Sequence, residues 1–294
     1  MTDRRWFPVL PALTKPSPEI AAALEREVEI WRSCLQLVKR RSYTMGRVMH
    51  ALLLREILTR FGRENLGFVW LVLEPLILTT LIMIGWWIMF GEAKHGVSIA
   101  QLAISGYSQL TLWRHIIARL QHCFRANAGL MFHRSVKPFD TIFARLFLES
   151  LGTLISFFVS FLVLYLIDLI PPIHDIGLLL TAWILITFFS FSVALIILAF
   201  CEFWEPAEKF VQPIMYITLP LTGAFFMVSW MPSEIQSILL LSPMINTQEM
   251  FRAGLIGPST PTYYHPEYVI LVTVFLTAFA FMLVRKAEAH IRLE

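Results

Sequence analysis

Hydrophobic and polar positions change their spacing partway through residues 51–91, and this stretch predicts the first two elements of the chain. Up to Asn65 the apolar residues recur at helical spacing among basic ones, which is typical of an amphipathic helix lying on a membrane surface. From Leu66 to Phe90 the chain is apolar, with Glu74 as the one charged side chain. At about 1.5 Å per residue, this run is long enough to cross a hydrocarbon core of about 30 Å. A surface helix is therefore expected to lead directly into a membrane-spanning helix.

Further apolar runs predict six membrane-spanning helices in all. The predicted spans are 68–90, 99–118, 142–168, 177–200, 211–230 and 267–284. The second contains Gln101 and Arg114, so its polar face is expected to meet protein or a water-filled path. The fifth contains Pro213 and Pro220, which are expected to kink it. The apolar runs within 232–256 are too short to span, and they predict a re-entrant pair of short helices that dips into one membrane face.

The composition agrees with an all-α polytopic membrane protein. The chain is 57% hydrophobic and 15% charged, with a mean hydropathy of +0.66, which excludes an ordinary soluble domain. Residues 1–45 are polar and rich in proline and lack the apolar core of a signal peptide, so the start is expected in the cytoplasm. In that orientation 22 of the 24 Lys and Arg residues lie on the cytoplasmic side, which predicts that both termini are cytoplasmic and that 232–256 faces outward.

No motif for catalysis or nucleotide binding is found in the sequence. No Gly precedes a Lys, so there is no Walker A loop, and the HExxH and GxSxG signatures are absent. The three cysteines, Cys34, Cys123 and Cys201, fall on the predicted inner side without CxxC spacing, which favours neither a disulfide nor a metal site. We expect no catalytic residue, no metal and no cofactor on this chain, and therefore a separate source of energy.

Two kinds of candidate residue lie within the predicted spans. Glu74 is an intramembrane carboxylate followed by Pro75, and it has either a functional role or the structural one of capping a kink. Aromatic residues close the outer ends of the first and fifth spans, and Tyr107 lies in the middle of the second. They either form an interfacial belt, which is favoured for Trp86 and Trp87, or offer ring faces on which sugars stack, which is favoured for Tyr107. The candidate translocation path comprises Trp86, Trp87, Tyr107, Trp113, Arg114, Phe225 and Phe226.

The predicted inner loop 121–140 is more polar and basic than a simple connector requires. Residues 127–129 indicate a turn, and Asp140 lies where the next helix is predicted to start. A solvated loop is one interpretation, and a partner-docking element is the one we favour. Its candidate residues are Asn127, Gly129, Arg134, Lys137 and Asp140.

Three segments resemble the permease subunit of bacterial capsular polysaccharide exporters, an ABC-2 type transporter family that includes O-antigen exporters. They are ALLLREILTRFGRENLGFVWLVLEP, NAGLMFHRSVKPFDTIFARLFLE and SPMINTQEMFRAG. The likeness runs from about Met49 to Arg285. Its most specific part comprises Arg63, Leu66, Gly67, Phe68, Trp70, Glu74 and Pro75.

The resemblance implies an inner-membrane subunit that moves lipid-linked capsular polysaccharide from the cytoplasm to the periplasm and binds no nucleic acid. It also implies a homodimer, two copies of a separate ATPase that holds ATP and Mg, and periplasmic co-polymerase-type and outer-membrane export partners. The implied organisation is an extension at 1–45, an interface helix at 46–66, a transmembrane domain at 67–285 and a cytoplasmic tail at 286–294.

Roles for individual residues follow from the same resemblance. The loop 127–140 becomes the element that docks on the ATPase, and 232–256 becomes the outer pair that closes the channel. The interface helix lies beside a lipid entry gate, to which we assign Arg55, Arg60, Arg63 and Glu74. The three arginines are expected either to attract the lipid phosphate of the substrate or to hold the helix to ordinary anionic lipid.

Other cargoes and another class of protein stay open. An ABC-2 permease for O-antigen, teichoic acid, a drug or a small lipid would share the architecture. A membrane enzyme acting on lipid-linked glycan would need His and carboxylate residues clustered at one membrane depth, and the predicted spans do not show such a cluster.

Overall fold

The computed structural model describes residues 46–57, 66–91, 93–94, 96–126, 138–204 and 206–291. The chain divides into two units, residues 1–50 and 51–294. Of the first unit, 46–50 are described and are helical. The predicted extension at 1–45 and residues 58–65 of the predicted interface helix lie outside the described residues.

The second unit is largely α-helical, as the sequence predicts. Its helices are α1 (51–57), α2 (Leu66–Phe90), α3 (Ile99–Leu120), α4 (Cys123–Ala126), α5 (Pro138–Leu166), α6 (Ile176–Phe203), α7 (Ala207–Ile217), α8 (Ser233–Leu239), α9 (Pro243–Ile256) and α10 (Pro266–Ile291). A two-stranded antiparallel hairpin, β1 (Ala93–Lys94) and β2 (Val97–Ser98), joins α2 to α3 and is the only sheet within the described ranges. The chain reverses at Gly96, whose φ of 82° suits glycine.

Three helices of the described residues are long and apolar enough to cross a membrane. These segments are Phe139–Leu166 in α5, Ile176–Phe203 in α6 and Pro266–Ala287 in α10. They coincide with the predicted third, fourth and sixth spans. The predicted first span lies in α2, which has 25 residues and exposes Leu81, Ile88 and Met89.

The core is built around α3 and α6. The more polar α3 is largely enclosed, because it packs against α2, α5, α6 and α9. α6 in turn packs against α3, α9 and α10. The predicted second span is therefore a helix surrounded by protein, as its polar residues require.

The predicted fifth span, 211–230, is not one continuous helix. α7 ends at Ile217 after 11 residues, with Pro213 inside it, and a 3-10 turn at Leu219–Thr222 follows. Gly223 then takes a left-handed conformation with φ 72°, and the chain extends before a second 3-10 turn at Val228–Trp230. Proline removes backbone donors and a left-handed glycine ends helical hydrogen bonding, so this sequence breaks the helix rather than kinking it.

Residues 233–256 form two short helices, α8 and α9, where the sequence predicts a pair. α9 begins at Pro243, and the Ser242 hydroxyl accepts a hydrogen bond from the Ile245 amide across its first turn. The Asn246 side-chain amide donates to the carbonyls of Leu240 and Ser242 at 2.6 and 2.9 Å, which holds the turn between the helices. The placement of this pair within a membrane stays a prediction.

Candidate translocation site

The polar face of α3 opens onto a cavity of about 190 Å³ between α2, α3 and α7. Its lining residues are Leu78, Tyr107, Thr111, Arg114, His115, Ala118, Gln212 and Met215. Tyr107 and Arg114, two of the predicted path residues, are seven positions apart, so helical geometry places them on one side of α3. The structure thus brings them to one cavity.

Arg114 is half-buried in this cavity and interacts with α7. Its guanidinium carbon lies 5.4 Å from the centre of the Tyr216 ring, and Nη2 donates to the Tyr216 hydroxyl at 3.5 Å. A cation above an aromatic face is stabilised by the ring quadrupole, and more so away from bulk water. α7 therefore helps to hold a positive charge at the cavity.

Trp113 lies on the other side of α3 from this cavity. Its ring is buried and stacks on Phe189, with centroids 5.8 Å apart and planes 14° from parallel. It borders a separate apolar cavity of about 660 Å³, lined also by aromatic residues of α6 and α7 such as Phe200 and Phe210. The structure does not bring Trp113 together with Tyr107 and Arg114.

The remaining predicted path residues lie near the end of α2 and in the 223–228 segment. Trp86 meets Phe225 edge to face at 5.9 Å, while the neighbouring Trp87 is 56% exposed and points to a different cleft. The Phe226 carbonyl is a hydrogen-bond acceptor for Arg252. The aromatic residues that the sequence assigns to one path therefore lie in several different environments.

A buried ion pair on α9 holds the 223–228 segment in place. Its two residues are not among the candidate site residues that the sequence suggests. The side chains of Glu249 and Arg252 are 1% and 0% exposed, with Arg252 Nη1 3.5 Å from Glu249 Oε1. They stand three residues apart on α9, at a spacing that lets helical side chains meet. The one signal in the sequence is this Glu-x-x-Arg spacing among apolar residues. The count of Lys and Arg residues includes Arg252 only as one of the two that fall on the outer side.

Arg252 binds backbone on two sides. Its guanidinium donates to the carbonyls of Ala224, at 2.9 Å, and Phe226, and its Nε donates to the Ser105 hydroxyl on α3 at 3.3 Å. Buried charges are tolerated when they are paired and hydrogen-bonded. One side chain thus ties α9 to α3 and to the segment after α7.

Glu249 supplies the matching acceptor. Oε1 accepts from the Val228 amide at 3.2 Å, and Oε2 accepts from the Tyr263 amide at 3.4 Å. The carboxylate therefore joins the segment after α7 to the loop before α10, at the end of the bundle where the hairpin also lies.

A second charged group joins α1, α3 and α5 at the opposite ends of these helices. The buried Glu149 on α5 lies 3.6 Å from Arg119 Nε and 3.5 Å from His115 Nδ1. Arg145 Nε lies 3.0 Å from Glu56 Oε1 on α1, and its Nη1 donates to the Arg119 carbonyl at 2.9 Å. These contacts link α1 to the start of α5.

The predicted docking loop is only partly described. Asp140 is buried in the first turn of α5, where an acidic group suits the helix dipole. Asn127, Gly129, Arg134 and Lys137 lie outside the described residues. Just before them, Arg125 reaches Glu202 at 3.9 Å and Glu208 at 3.5 Å, and His122 pairs with the same Glu208.

The predicted gate residues are described only in part. Arg55 lies half-buried on α1, where Leu54 and Ile57 are 46% and 36% exposed. Arg60 and Arg63 lie outside the described residues, and Glu74 is described as a position in α2 but not for its side chain. Their roles stay predictions.

Comparison with known proteins identifies the family. Residues 47–256 match the ABC-2 type transporter family. The chain is 38% identical over 240 residues to the capsule polysaccharide export inner-membrane protein CtrC of Neisseria meningitidis serogroup B, covering 82% of this chain and 91% of the relative. It is 36% identical over 240 residues to the capsule polysaccharide export inner-membrane protein BexB of Haemophilus influenzae, covering 82% of this chain and 91% of that one.

A more distant relative has a related name. The polysialic acid transport protein KpsM of Escherichia coli is 28% identical over 236 residues, covering 78% of this chain and 90% of KpsM. The family match agrees with the apolar helices of the described residues. The chain is a member of the ABC-2 type transporter family, the membrane part of an ABC transporter.

Proposed function

We propose that this chain is the permease subunit of an ATP-driven exporter that moves lipid-linked capsular polysaccharide across the bacterial inner membrane, from cytoplasm to periplasm. Relatives named for capsule polysaccharide export and for polysialic acid transport match most of the chain and support this cargo. The chain itself is not proposed to be an enzyme or to bind a cofactor, because ATP and Mg belong to the partner ATPase that the family implies.

The observation that carries the proposal is the cavity beside α3. Tyr107, Thr111 and Arg114 face a space of about 190 Å³ within a bundle whose other helices are mostly apolar. Polar and charged side chains at membrane depth are costly unless they meet protein or line a water-filled or substrate-bearing path, and these three line a cavity. Hydroxyl, amide and guanidinium groups also suit the hydroxyls of a glycan, and the Tyr107 ring suits its apolar faces.

The proposed topology has six spans and both termini in the cytoplasm. The distribution of Lys and Arg supports it, since 22 of 24 fall on one side. In this topology three spans are added to α5, α6 and α10. They are α2, α3 and the segment from α7 to Trp230. The helices α8 and α9 form the outer re-entrant pair.

We assign coupling to the ATPase to residues 127–140. The charged contacts of Arg125 with Glu202 and Glu208 position the chain entering this loop, and the buried Asp140 lies in the first turn of α5, where the loop ends. Arg134 and Lys137 would offer positive charge to the ATPase. The complex would be a homodimer of this chain with two ATPase copies, delivering polymer to periplasmic co-polymerase-type and outer-membrane export proteins.

Lipid entry is assigned to the surface helix and the start of α2. Arg55, Arg60 and Arg63 would attract the anionic phosphate of the lipid anchor, since cations at a membrane interface favour anionic headgroups. The exposed apolar side chains of Leu54 and Ile57 would keep the helix at the membrane surface. Glu74 would lie beside the entering lipid.

Deletion of this chain in its own host tests the function. We expect polymer trapped in the cytoplasm, seen by fractionation and by staining of thin sections, and surface polymer restored by the full chain. Loss of polymer synthesis with accumulation of precursor lipid would instead indicate a biosynthetic enzyme. Normal surface capsule would contradict the proposal and indicate another cargo, such as O-antigen, teichoic acid, a drug or a small lipid.

A further inference from the structure

A cleft of about 680 Å³ lies where the end of α2, the hairpin, the first turn of α3 and the connection from α5 to α6 meet. Its volume is within the range of about 300–1,000 Å³ that is usual for small-ligand pockets. The lining combines the exposed ring of Trp87 with the polar residues Ser98, Gln101 and Asp168. It is a different cavity from the one beside Tyr107 and Arg114.

Gln101 lines this cleft with open hydrogen-bonding capacity. The residue is 6% exposed, yet its side chain makes no hydrogen bond to any residue that the structure describes. Its amide is among the groups that line the cleft, so it is available to water or to a ligand that enters. A ligand that replaces this water with its own hydroxyl keeps the hydrogen bonds of the amide.

The start of α3 adds further donors. Ser98 precedes the helix, and its hydroxyl makes no capping hydrogen bond to the first turn. The residues that follow, Ile99 and Ala100, also border the cleft. The backbone amides of a first helical turn have no partners within the helix.

Asp168 contributes a carboxylate from a conformation that favours glycine. Its φ of 57° is the only positive φ of a non-glycine residue in the described ranges. The Asp168 amide donates to the Tyr165 carbonyl at 3.1 Å, and the Leu169 amide donates to the Leu164 carbonyl at 3.0 Å, a Schellman arrangement that ends α5. Glycine would form this turn with less strain, so the turn itself does not require an aspartate. The carboxylate of Asp168 is therefore available for another role.

We propose that this cleft binds one sugar residue of the exported polymer on the outer side of the membrane. The Trp87 ring covers an apolar face of the pyranose, since aromatic rings present large apolar surfaces. The Gln101 amide, the Ser98 hydroxyl and the Asp168 carboxylate hydrogen-bond to its hydroxyls. This inference rests on the proposed export function and topology.

Photo-cross-linking in the native host tests the site in the full complex. Leu169 borders the cleft and is 45% exposed, so Leu169→p-benzoylphenylalanine places a photoreactive group there without removing a proposed ligand. Leu271 on α10, 71% exposed, is the matched control position for the same replacement. After irradiation, the purified chain is probed with antiserum against the host's own surface polysaccharide, and adduct yield is expressed per chain in the membrane.

We expect polysaccharide adducts at position 169 and none at 271. Adding Gln101→Leu or Asp168→Gly should each lower the yield about fivefold, the effect of losing one hydrogen bond. Asp168→Gly should insert and fold normally, because glycine accepts the left-handed conformation.

Two results would overturn the site while the export function stands. One is abundant adduct at position 169 that neither substitution lowers. The other is no adduct at 169 in cells that carry normal surface polymer. The deletion experiment decides the export function separately, because it does not depend on this cleft.

Discussion

At the scale of single residues, Arg252 has the most demanding surroundings in the described part of the chain. It is completely buried and donates to two carbonyls and a hydroxyl while pairing with Glu249. Removing one member of a buried pair leaves the other charge without compensation. The residue therefore holds the 223–228 segment in a way that a neutral side chain cannot.

We predict that Arg252→Ala lowers the free energy of unfolding by about 3–5 kcal/mol, the usual cost of breaking a buried ion pair. The measurement is thermal or denaturant unfolding of the purified chain in detergent. Arg285→Ala is the matched control, because Arg285 is exposed on α10. Equal stability of the two variants would show that the ion pair does not hold the segment.

Gly106 provides a second test, on packing between α3 and the segment after α7. A Cβ atom at this position would lie 2.1 Å from the Ala224 carbonyl oxygen, so the backbone must move. We predict that Gly106→Ala destabilises the chain by about 1–3 kcal/mol or more, as overpacking does. Gly85→Ala on α2, where nothing lies within 4 Å, should be neutral or slightly stabilising in the same assay. A harmless Gly106→Ala would contradict the close approach.

Individual site residues could be predicted only where their signal was local. Tyr107 and Arg114 were recognisable as polar positions in an apolar span, and the structure places both at one cavity. The partners of Arg252 were not recognisable, because they are mainly backbone carbonyls more than 20 residues away, which carry no pattern in the sequence. The open amide of Gln101 also depends on tertiary packing.

At the scale of elements, α3 combines two faces with opposite properties. Trp113 packs into the apolar side against Phe189, while Arg114 faces the polar cavity and Tyr216. Adjacent residues on a helix point in directions about 100° apart, so one helix presents both surfaces. A polar span is stable here because protein surrounds it.

We predict that Arg114→Met preserves insertion and stability but lowers export at least about tenfold, which corresponds to a loss on the order of 1.4 kcal/mol. Arg114 is half-buried at the edge of a cavity and Met is a long, flexible replacement, so the change should cost little stability. Surface polymer measured in a complemented deletion strain, at equal membrane levels of the chain, gives the result. Trp113→Phe on the apolar side is the control and should export normally. Full export by Arg114→Met would show that Arg114 does not contribute to the translocation path.

Helix boundaries show where sequence patterns stop being sufficient. α5, α6 and α10 follow from long apolar runs and match the predicted third, fourth and sixth spans. The region 211–230 is also apolar enough to predict a span, but Pro213, Pro220 and the left-handed Gly223 divide it into short turns. Apolar composition predicts burial or lipid contact, whereas backbone hydrogen bonding decides whether the helix continues.

At the scale of the whole molecule, the charge distribution defines the proposed orientation. Of the 24 Lys and Arg residues, 12 precede the first predicted span and six lie from Arg114 to Arg145, in segments that we place in the cytoplasm. The ion pair on α9 lies at the other end of the bundle. The general class and the long apolar helices α5, α6 and α10 follow from composition and periodicity. The contacts that hold the non-helical segment after Gly223 do not, because they join parts of the chain distant in sequence.

We predict that single cysteines report this orientation in a chain whose three native cysteines are replaced. Ser259→Cys, in the exposed loop before α10, should react with a membrane-impermeant maleimide in intact spheroplasts. Lys209→Cys, exposed on α7, should react only after the membrane is opened. Reaction of Lys209→Cys in sealed spheroplasts, with Ser259→Cys protected, would contradict the proposed topology and indicate the opposite orientation.

The most direct test of the export function is ATP-dependent transport in inverted inner-membrane vesicles from the native host. These vesicles expose the cytoplasmic side and retain the chain with its partner ATPase. We predict that ATP moves labelled lipid-linked polysaccharide into the lumen, where an added glycosidase cannot digest it, and that vesicles from the deletion strain show no such protection. Equal ATP-dependent protection with and without this chain would contradict its role as the permease.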